Sequence, residues 1–440
     1  MRAVSRTGCG ADAPARPLSG NPAQAKKHFP RPVRSEDSSP PTLWGLIGMN
    51  GDRALNIKHH SLTGRITLPL MYQAFRRVKR NRGAAGVDKV SIHRFEANLA
   101  DNLRCLMRAL KQGTFQPLPA RRAYIDKGGG KLRPLGIPVV RDRVAQEVLR
   151  QLLSPLFEPL FHDDSYGFRP GRSAHGALER VKQLQRQGYT HVLDADIAGF
   201  FDNIPLRVIM QGLTNVVADG NILRLVQRFL RAGVMEDGVL RPTTVGTPQG
   251  GVISPLLANI ALNFLDWHLA RSGFRLVRYA DDFLVLCRSA RRAKEALLAV
   301  TQKLTELGLS LSPAKTRVTN FQAGFAFLGF EIRARSAQMR AKSVERLKDK
   351  LRQMTVRKHN LDAQVVVRLN AVIRGVARYF ATNFSTVREQ FRYLDAWLRM
   401  RARCMKFKRK SVHDNWRLRI RHLRRLGMVF LMDYLKPMET

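Results

Sequence analysis

Acidic residues are scarce in this chain of 440 residues: 34 Asp and Glu stand against 76 Lys and Arg, for a net charge of +42. An imbalance of that size excludes an ordinary metabolic enzyme and points to a polyanionic partner. Nucleic acid and an anionic membrane surface both answer to such a field. Long apolar runs are missing as well. None approaches the roughly 20 residues that a spanning helix needs, and the basic N-terminus carries no continuous apolar segment of a secretory signal. A cytosolic protein without a membrane partner is therefore expected. Only four cysteines occur, Cys9, Cys105, Cys287 and Cys404, far apart and without a CxxC pair. That spacing argues against a disulfide framework or a structural zinc site and leaves free thiols, Cys287 among them as a core residue.

What is present is enough apolar sequence to fold. Hydrophobic residues make up 44% and charged residues 25%, and the length suits about three domains. Residues 1–60, rich in Pro, Ala, Ser, Gly and basic residues without a sustained period, read as a disordered basic arm. From Leu68 apolar residues recur at helical intervals, and a helix is predicted to end near Asn81. Residues 91–112 read as a helix. ARRAYIDKGGGKLRPLGIPVV reads as a basic hairpin whose second strand breaks at Pro134 and Pro138, and helices follow over 142–156 and 174–187. HVLDADIAGFFDNI places a strand ending near Asp196. TPQGG leads into a long apolar-faced helix with Pro255 in its first turn. FRLVRYADDFLVLCRS reads as strands over 274–279 and 283–287 with Ala280, Asp281 and Asp282 at the bend. A helix over 291–307, a short strand through Leu311 and GFAFLGFEI complete an α+β unit.

The chain from about Ala341 is predicted to be mostly helical and very basic. Arg399 to Arg425 holds twelve Lys or Arg and one acid, Asp414. Any one charge run can be a solvated helix face, but Tyr379, Phe380, Phe384, Phe391, Tyr393, Trp397 and Trp416 are interleaved with the charges. Some of these rings belong to a core and a minority can stack on bases. A helical RNA-binding module is the reading that covers both, with Arg399, Arg401, Arg403, Lys406, Lys408, Arg409 and Lys410 as its candidate RNA contacts.

Against this background three acids stand out. Phosphoryl transfer at a nucleic acid 3′ end uses paired divalent cations about 4 Å apart, and such cations take hard oxygen ligands. Asp281 and Asp282 at a strand bend, with Asp196 at the end of another strand, supply them if the strands are neighbours in one sheet. A lone Asp is a common turn residue; a set that interrupts apolar strands in an acid-poor chain is less easily dismissed.

Tyr279-Ala280-Asp281-Asp282 resembles the YADD box of reverse transcriptases, the segment from Asp196 to Asp202 resembles their first palm motif, and Pro248-Gln249-Gly250-Gly251 their PQG loop. With RGAAGVD, KLRPLGIP, SYGFRPGRSAHGAL, TPQGGVISPLLANI and FLGF in order, the chain over roughly 65–435 is similar to bacterial group II intron reverse transcriptase/maturases. The resemblance implies a right-hand polymerase with fingers over 61–190, an antiparallel-sheet palm over 191–335 and a helical thumb or maturase domain over 336–440. It implies catalytic acids Asp196, Asp281 and Asp282, and a metal set of Asp196, Ile197, Asp281 and Asp282 for two Mg²⁺ ions, or Mn²⁺ as a substitute. Of the acids, Asp282 is the one that can tune the site rather than ligate directly. Lys127 and Arg133 fall on triphosphate-binding cations, Gln249 on a residue packed against the incoming nucleotide, and Phe201, five after Asp196, on a steric gate that favours dNTPs. Lys315 is a candidate proton donor to pyrophosphate, with a solvated surface lysine as the plain alternative. Phe327, Leu328 and Gly329 resemble a primer-grip turn.

The chain departs from the family's pattern at Asp126, a negative charge beside Lys127, and at Ala198, where lysine is frequent. No paired cysteines or His/Asn cluster of endonuclease spacing is visible, so no endonuclease domain is expected; His413, Asp414 and Asn415 read as a helix cap. The implied partners are group II intron RNA or another structured RNA, an RNA template with a DNA primer or DNA target, and dNTPs. Two alternatives stand beside this reading: a splicing cofactor that does not depend on polymerisation, and a domesticated reverse transcriptase of phage defence or a CRISPR system.

Overall fold

The computed structural model describes residues 58–126, 132–241, 246 and 250–435. In the N-terminal part the helix Leu68–Arg80 turns Met71, Ala74, Phe75 and Val78 inward at the i, i+3, i+4, i+7 spacing of an amphipathic helix. It packs along the helix Val140–Phe157. The predicted helix over 91–112 is two helices, Ile92–Ala97 and Leu99–Gln112, because Asn98 leaves the helical region (φ −120°, ψ 46°).

Eleven strands are described: β1 (Ala120–Asp126), β2 (Leu132–Ile137), β3 (His191–Asp196), β4 (Val234–Glu236), β5 (Val239–Arg241), β6 (Arg275–Tyr279), β7 (Asp282–Cys287), β8 (Arg317–Asn320), β9 (Phe325–Phe327), β10 (Phe330–Ile332) and β11 (Ala337–Met339). β1 and β2 form the expected antiparallel hairpin. Pro134 does not break it; it lies inside β2 opposite Tyr124, which is possible because β2 is the edge of a β2-β1-β4-β5 sheet and needs no ladder donor on its open side. The β4–β5 hairpin was not predicted. Its turn is Asp237-Gly238, both at positive φ (50° and 81°), the dipeptide that most strongly signals such a turn.

The central sheet runs β6-β7-β3-β8 and is antiparallel throughout. Strand periodicity divides its side chains between two cores. Leu193, Ala195, Leu276, Phe283 and Val285 face the core that includes the helices Ser254–Arg271 and Ala290–Glu306. Val192, Val277, Leu284 and Leu286 face a second core with the helix Ala174–Arg186 and the C-terminal helices. The strand expected through Leu311 is a single bridge from Leu311 to Ile197, and the fourth strand is β8 further on. β9, β10 and β11 form a separate three-stranded sheet.

The C-terminal part is helical as expected: Ala341–Met354, Ala363–Phe380, Arg388–Phe407, then the short Asp414–Arg417 and Ile420–Arg425. Buried polar side chains tie its end down. Asp395 accepts from the amides of Leu431 (2.9 Å) and Met432 (3.0 Å), and Asn370 bonds the backbone of Gly427 and Val429. Cys287 and Cys404 are buried free thiols. No helix among the described residues is long and apolar enough to cross a membrane.

Candidate active site

Three strand geometries bring the acids together. Asp196, the last residue of β3, pairs in register with Asp282, the first of β7. Asp281 sits in the two-residue turn between β6 and β7, with Ala280 at φ 59°. Because side chains alternate, Asp194 and Asp196 share the face of Val192, and Asp282 that of Leu284, the same face of the sheet. Thus Asp196 and Asp282, 86 positions apart in sequence, become neighbours.

The turn is built on a buried polar network that sequence patterning did not reveal. Arg278, fully buried at the end of β6, meets Asp266 through Nε (2.8 Å) and Nη2 (2.6 Å), and its Nη1 donates to Asn259 Oδ1 (3.0 Å) and to the carbonyl of Ala280 (2.8 Å). Asn259 in turn donates to the carbonyl of Gly167 at 2.8 Å. Gly167 lies so close to the turn that a Cβ there would be 2.2 Å from the Ala280 nitrogen. The SYGFRPG segment is therefore a backbone support for the turn, joined to β6 by the bonds Tyr166 N to Arg278 O (2.8 Å) and Arg278 N to Asp164 O (2.9 Å). Its sequence signal was the polar Asn259 and Asp266 in a helix that is otherwise apolar nearly all round.

Crowding of like charge marks the cluster. Burial pushes the Asp282 carboxyl up to about 7, helped by Asp194, Asp281 and Asp196 and opposed by Arg340. Burial and then Asp196 also raise Asp281, while Arg133 and Lys315 oppose. Asp194 is raised by burial against the pull of Arg317, its ion-pair partner at 3.2 Å on β8. Lys315 Nζ lies 2.8 Å from Asp196 Oδ2, a cation already drawn to the carboxylates. The donors are the hard oxygens that Mg²⁺ takes. Among the described residues no three His, Cys, Asp or Glu groups converge into a ready cage; the fit to Mg²⁺ rests on the kind of donor, carboxylate oxygens held side by side by the register of Asp196 with Asp282. The Ile197 side chain is hydrocarbon and buried; the only oxygen this residue offers an ion is its backbone carbonyl.

The remaining expected residues fall as follows. Arg133 is exposed on β2, and its charge reaches Asp281. Lys127 and Gln249 lie outside the described residues, as do residues 1–57 of the N-terminal arm. Phe201 is half-buried, its ring edge-on to Phe200 at 5.3 Å. Gly246, at φ 88°, lies over the same backbone: a Cβ there would meet the carbonyls of Asp202 at 2.5 Å and Phe201 at 2.8 Å. Leu328 and Gly329 form a tight turn between β9 and β10, both at positive φ, with the Leu328 carbonyl accepting from the Tyr379 hydroxyl at 2.8 Å. Beside it opens a cleft of about 560 Å³ lined in part by Arg340, Arg346, Lys350 and Tyr379.

The seven basic residues assigned to RNA divide in two. Arg401 donates to Thr355 Oγ1 (3.0 Å) and O (2.6 Å), Arg403 to the Leu418 carbonyl (3.0 Å), and Lys408 to the His359 carbonyl (2.6 Å). Arg409 pairs with buried Asp414, and Arg399 lies over the Phe430 ring at 5.9 Å. Those five brace the helices; Lys406 and Lys410 project into solvent. His413 occupies the cap position of Asp414–Arg417 but makes no side-chain cap bond, so the expected capping role is replaced by Asp414 as a counter-charge to Arg409 and Arg417. Of the aromatics, Tyr393 and Trp416 are well exposed, whereas Phe380 and Phe391 are core.

Comparison with known proteins accords with this geometry. A reverse transcriptase (RNA-dependent DNA polymerase) family model matches residues 125–332, and a group II intron, maturase-specific domain model matches residues 344–427. Protein YkfC of Escherichia coli (strain K12) is 36% identical over 300 residues, 59% of this chain and 79% of that protein. Group II intron-encoded protein LtrA of Lactococcus lactis subsp. cremoris is 30% identical over 433 residues, 74% of this chain and 71% of that protein. A chain of the partial Cas6-RT-Cas1–Cas2 complex aligns at a TM-score of 0.36 and 25% identity over 56% of this chain and 41% of that one, an overlap too loose to argue from. With a polymerase segment followed by a maturase segment in one chain, the protein belongs to the group II intron-encoded reverse transcriptases, RNA-directed DNA polymerases joined to a maturase domain.

Proposed function

We propose that this chain adds dNTPs to a primer 3′ end on an RNA template at Asp196, Asp281 and Asp282, and that it holds its intron RNA on the C-terminal helices, first to assist splicing and then to copy the intron during its mobility. Reverse transcriptases depend on divalent metal ions, and membership of this family implies intron RNA and RNA and DNA strands as partners. The finer assignment divides the chain into fingers over 61–190, palm over 191–335 and helical thumb over 336–440, working in the cytosol. What carries the reading is the register of Asp196 with Asp282 beside a two-residue turn bearing Asp281.

In this reading Asp196 and Asp281, with Asp282 and the backbone at Ile197, hold Mg²⁺, or Mn²⁺ in its place. When bound there, such a cation would supply acidification of the 3′-hydroxyl and neutralisation of charge on the leaving pyrophosphate. The protein's own groups do the rest. Arg133 presents a planar, two-pronged donor to the triphosphate and Lys127 a point charge, stabilising negative charge as it shifts toward the leaving group. Gln249 packs against the incoming nucleotide. Lys315, 2.8 Å from Asp196 Oδ2, is the candidate proton donor to pyrophosphate. Phe201 is the residue read as the gate that excludes a ribose 2′-hydroxyl.

The test is Asp281→Ala. Mg²⁺-dependent dNTP incorporation on an RNA template is expected to fall to background while the protein still binds its intron RNA and assists splicing. Incorporation that survives the change would place the chemistry elsewhere; loss of splicing with binding retained would contradict the separation of the two roles.

A further inference from the structure

Phe168 is an anomaly that the assignments above leave unused. It lies in SYGFRPG, is 54% exposed, and has φ 61°, a conformation costly for a bulky side chain and normally given to Gly or Asn. Such a residue persists when its surroundings over-determine it, and both neighbours are pinned. The Gly167 carbonyl accepts from Asn259 at 2.8 Å. Arg169, itself buried, donates to the carbonyls of His162 (2.7 Å) and Ser165 (2.8 Å) and to Glu158 (2.8 Å). The ring so presented is not in a core. It stands edge-on to Phe201, with ring centroids 6.5 Å apart and planes at 76°, the arrangement aromatic pairs prefer. Phe201 thus meets two rings edge-on, buried Phe200 at 5.3 Å and exposed Phe168 at 6.5 Å.

We propose that Phe168 is a specificity-determining residue: its ring forms the outer wall that fixes Phe201, and so sets how strictly the enzyme rejects ribonucleotides. Among the described residues the rings that meet Phe201 are Phe200 and Phe168, and a gate that can swing admits the 2′-hydroxyl it is meant to exclude. The inference rests on the reading of Phe201 as the sugar gate, and the experiment separates the two.

The ratio of kcat/KM for a dNTP to that for the matching rNTP is measured by primer extension on an RNA template. The full-length wild type is compared with Phe168→Ala, Phe168→Tyr, Phe201→Ala and the Phe168→Ala/Phe201→Ala double variant. Phe168→Ala is expected to lower the ratio about tenfold or more, mainly through better use of the rNTP, and Phe168→Tyr to restore it. The double variant should be no less selective than Phe201→Ala alone, because both act through one ring. Phe168→Gly accompanies the set, since glycine adopts this φ without strain and loses the ring without endangering the fold; it should behave as Phe168→Ala does. If Phe201→Ala relaxes selectivity and neither Phe168→Ala nor Phe168→Gly does, the role of Phe168 is overturned and the gate stands. If Phe201→Ala leaves the ratio unchanged, the gate itself is wrong and the inference falls with it. Losses that multiply in the double variant would overturn the coupling.

Discussion

At the scale of single residues, Arg278 shows how much of this site is support. A guanidinium with no solvent exposure carries a desolvation cost that only near-complete pairing offsets, and four donor contacts to Asp266, Asn259 and the Ala280 carbonyl provide it. The last contact matters for chemistry, because it fixes the turn that carries Asp281. Removing the counter-charge with Asp266→Ala leaves a buried cation uncompensated, and urea unfolding is expected to show a loss of about 3–5 kcal/mol. Arg278→Lys keeps the charge but, as a compact ammonium, cannot span the same partners. It is expected to fold and bind RNA while incorporating dNTPs about 100-fold more slowly, the order that a displacement of about 1 Å costs. Wild-type turnover by Arg278→Lys would mean that the turn holds its shape without the network.

At the scale of elements, the site is where three segments meet: the β6–β7 turn, the end of β3, and the SYGFRPG segment laid against the turn. Gly167 makes the last contact possible, and its replacement tests it. With a Cβ due 2.2 Å from the Ala280 nitrogen, backbone against backbone, Gly167→Ala must displace one of the two segments. Nucleotide incorporation is expected to fall at least about 100-fold with RNA affinity retained; an active Gly167→Ala enzyme would show that the contact is slack.

The strands that carry the acids were legible in the sequence because short β-branched and aromatic runs end abruptly in Asp196 and in Ala280-Asp281-Asp282. The register between them was not, since a pairing across 86 positions, Asp196 with Asp282, leaves no local trace. Nor was the Arg278 network, whose members look like isolated polar interruptions until the helix Ser254–Arg271 is packed beneath β6. The strain at Phe168 was hidden for a related reason: φ is set there by pinned neighbours, not by the residue itself. Where a local signal did exist, in Asp237-Gly238, it marks the β4–β5 hairpin that was not predicted.

At the scale of the molecule, the net charge of +42 must be divided between charges that hold the protein together and charges that hold nucleic acid. Arg401, Arg403 and Lys408 spend their donors on backbone carbonyls of neighbouring segments, so a basic run is a poor guide to the RNA surface by itself. Lys406 and Lys410 are exposed, whereas the equally exposed Lys408 and Arg409 are engaged with the His359 carbonyl and Asp414. Replacing Lys406 and Lys410 with Gln is expected to weaken intron RNA binding and to reduce the slope of log K against log salt by roughly 1–2 units, one phosphate contact each. A slope unchanged by the double replacement would move the RNA surface away from these residues, and the basic wall of the cleft at Arg340, Arg346 and Lys350 would be next to examine.

The central claim is that acids from two distant segments form one polymerising site, and double-variant kinetics on an RNA template tests it most directly. Single-nucleotide dNTP incorporation is measured for Asp196→Ala, Asp281→Ala and the variant carrying both, with intron RNA binding followed in parallel. If the two carboxylates act as a unit, each single change removes nearly all activity and the double change costs little more. Losses that multiply, or a single variant that still polymerises while binding RNA normally, would contradict the claim.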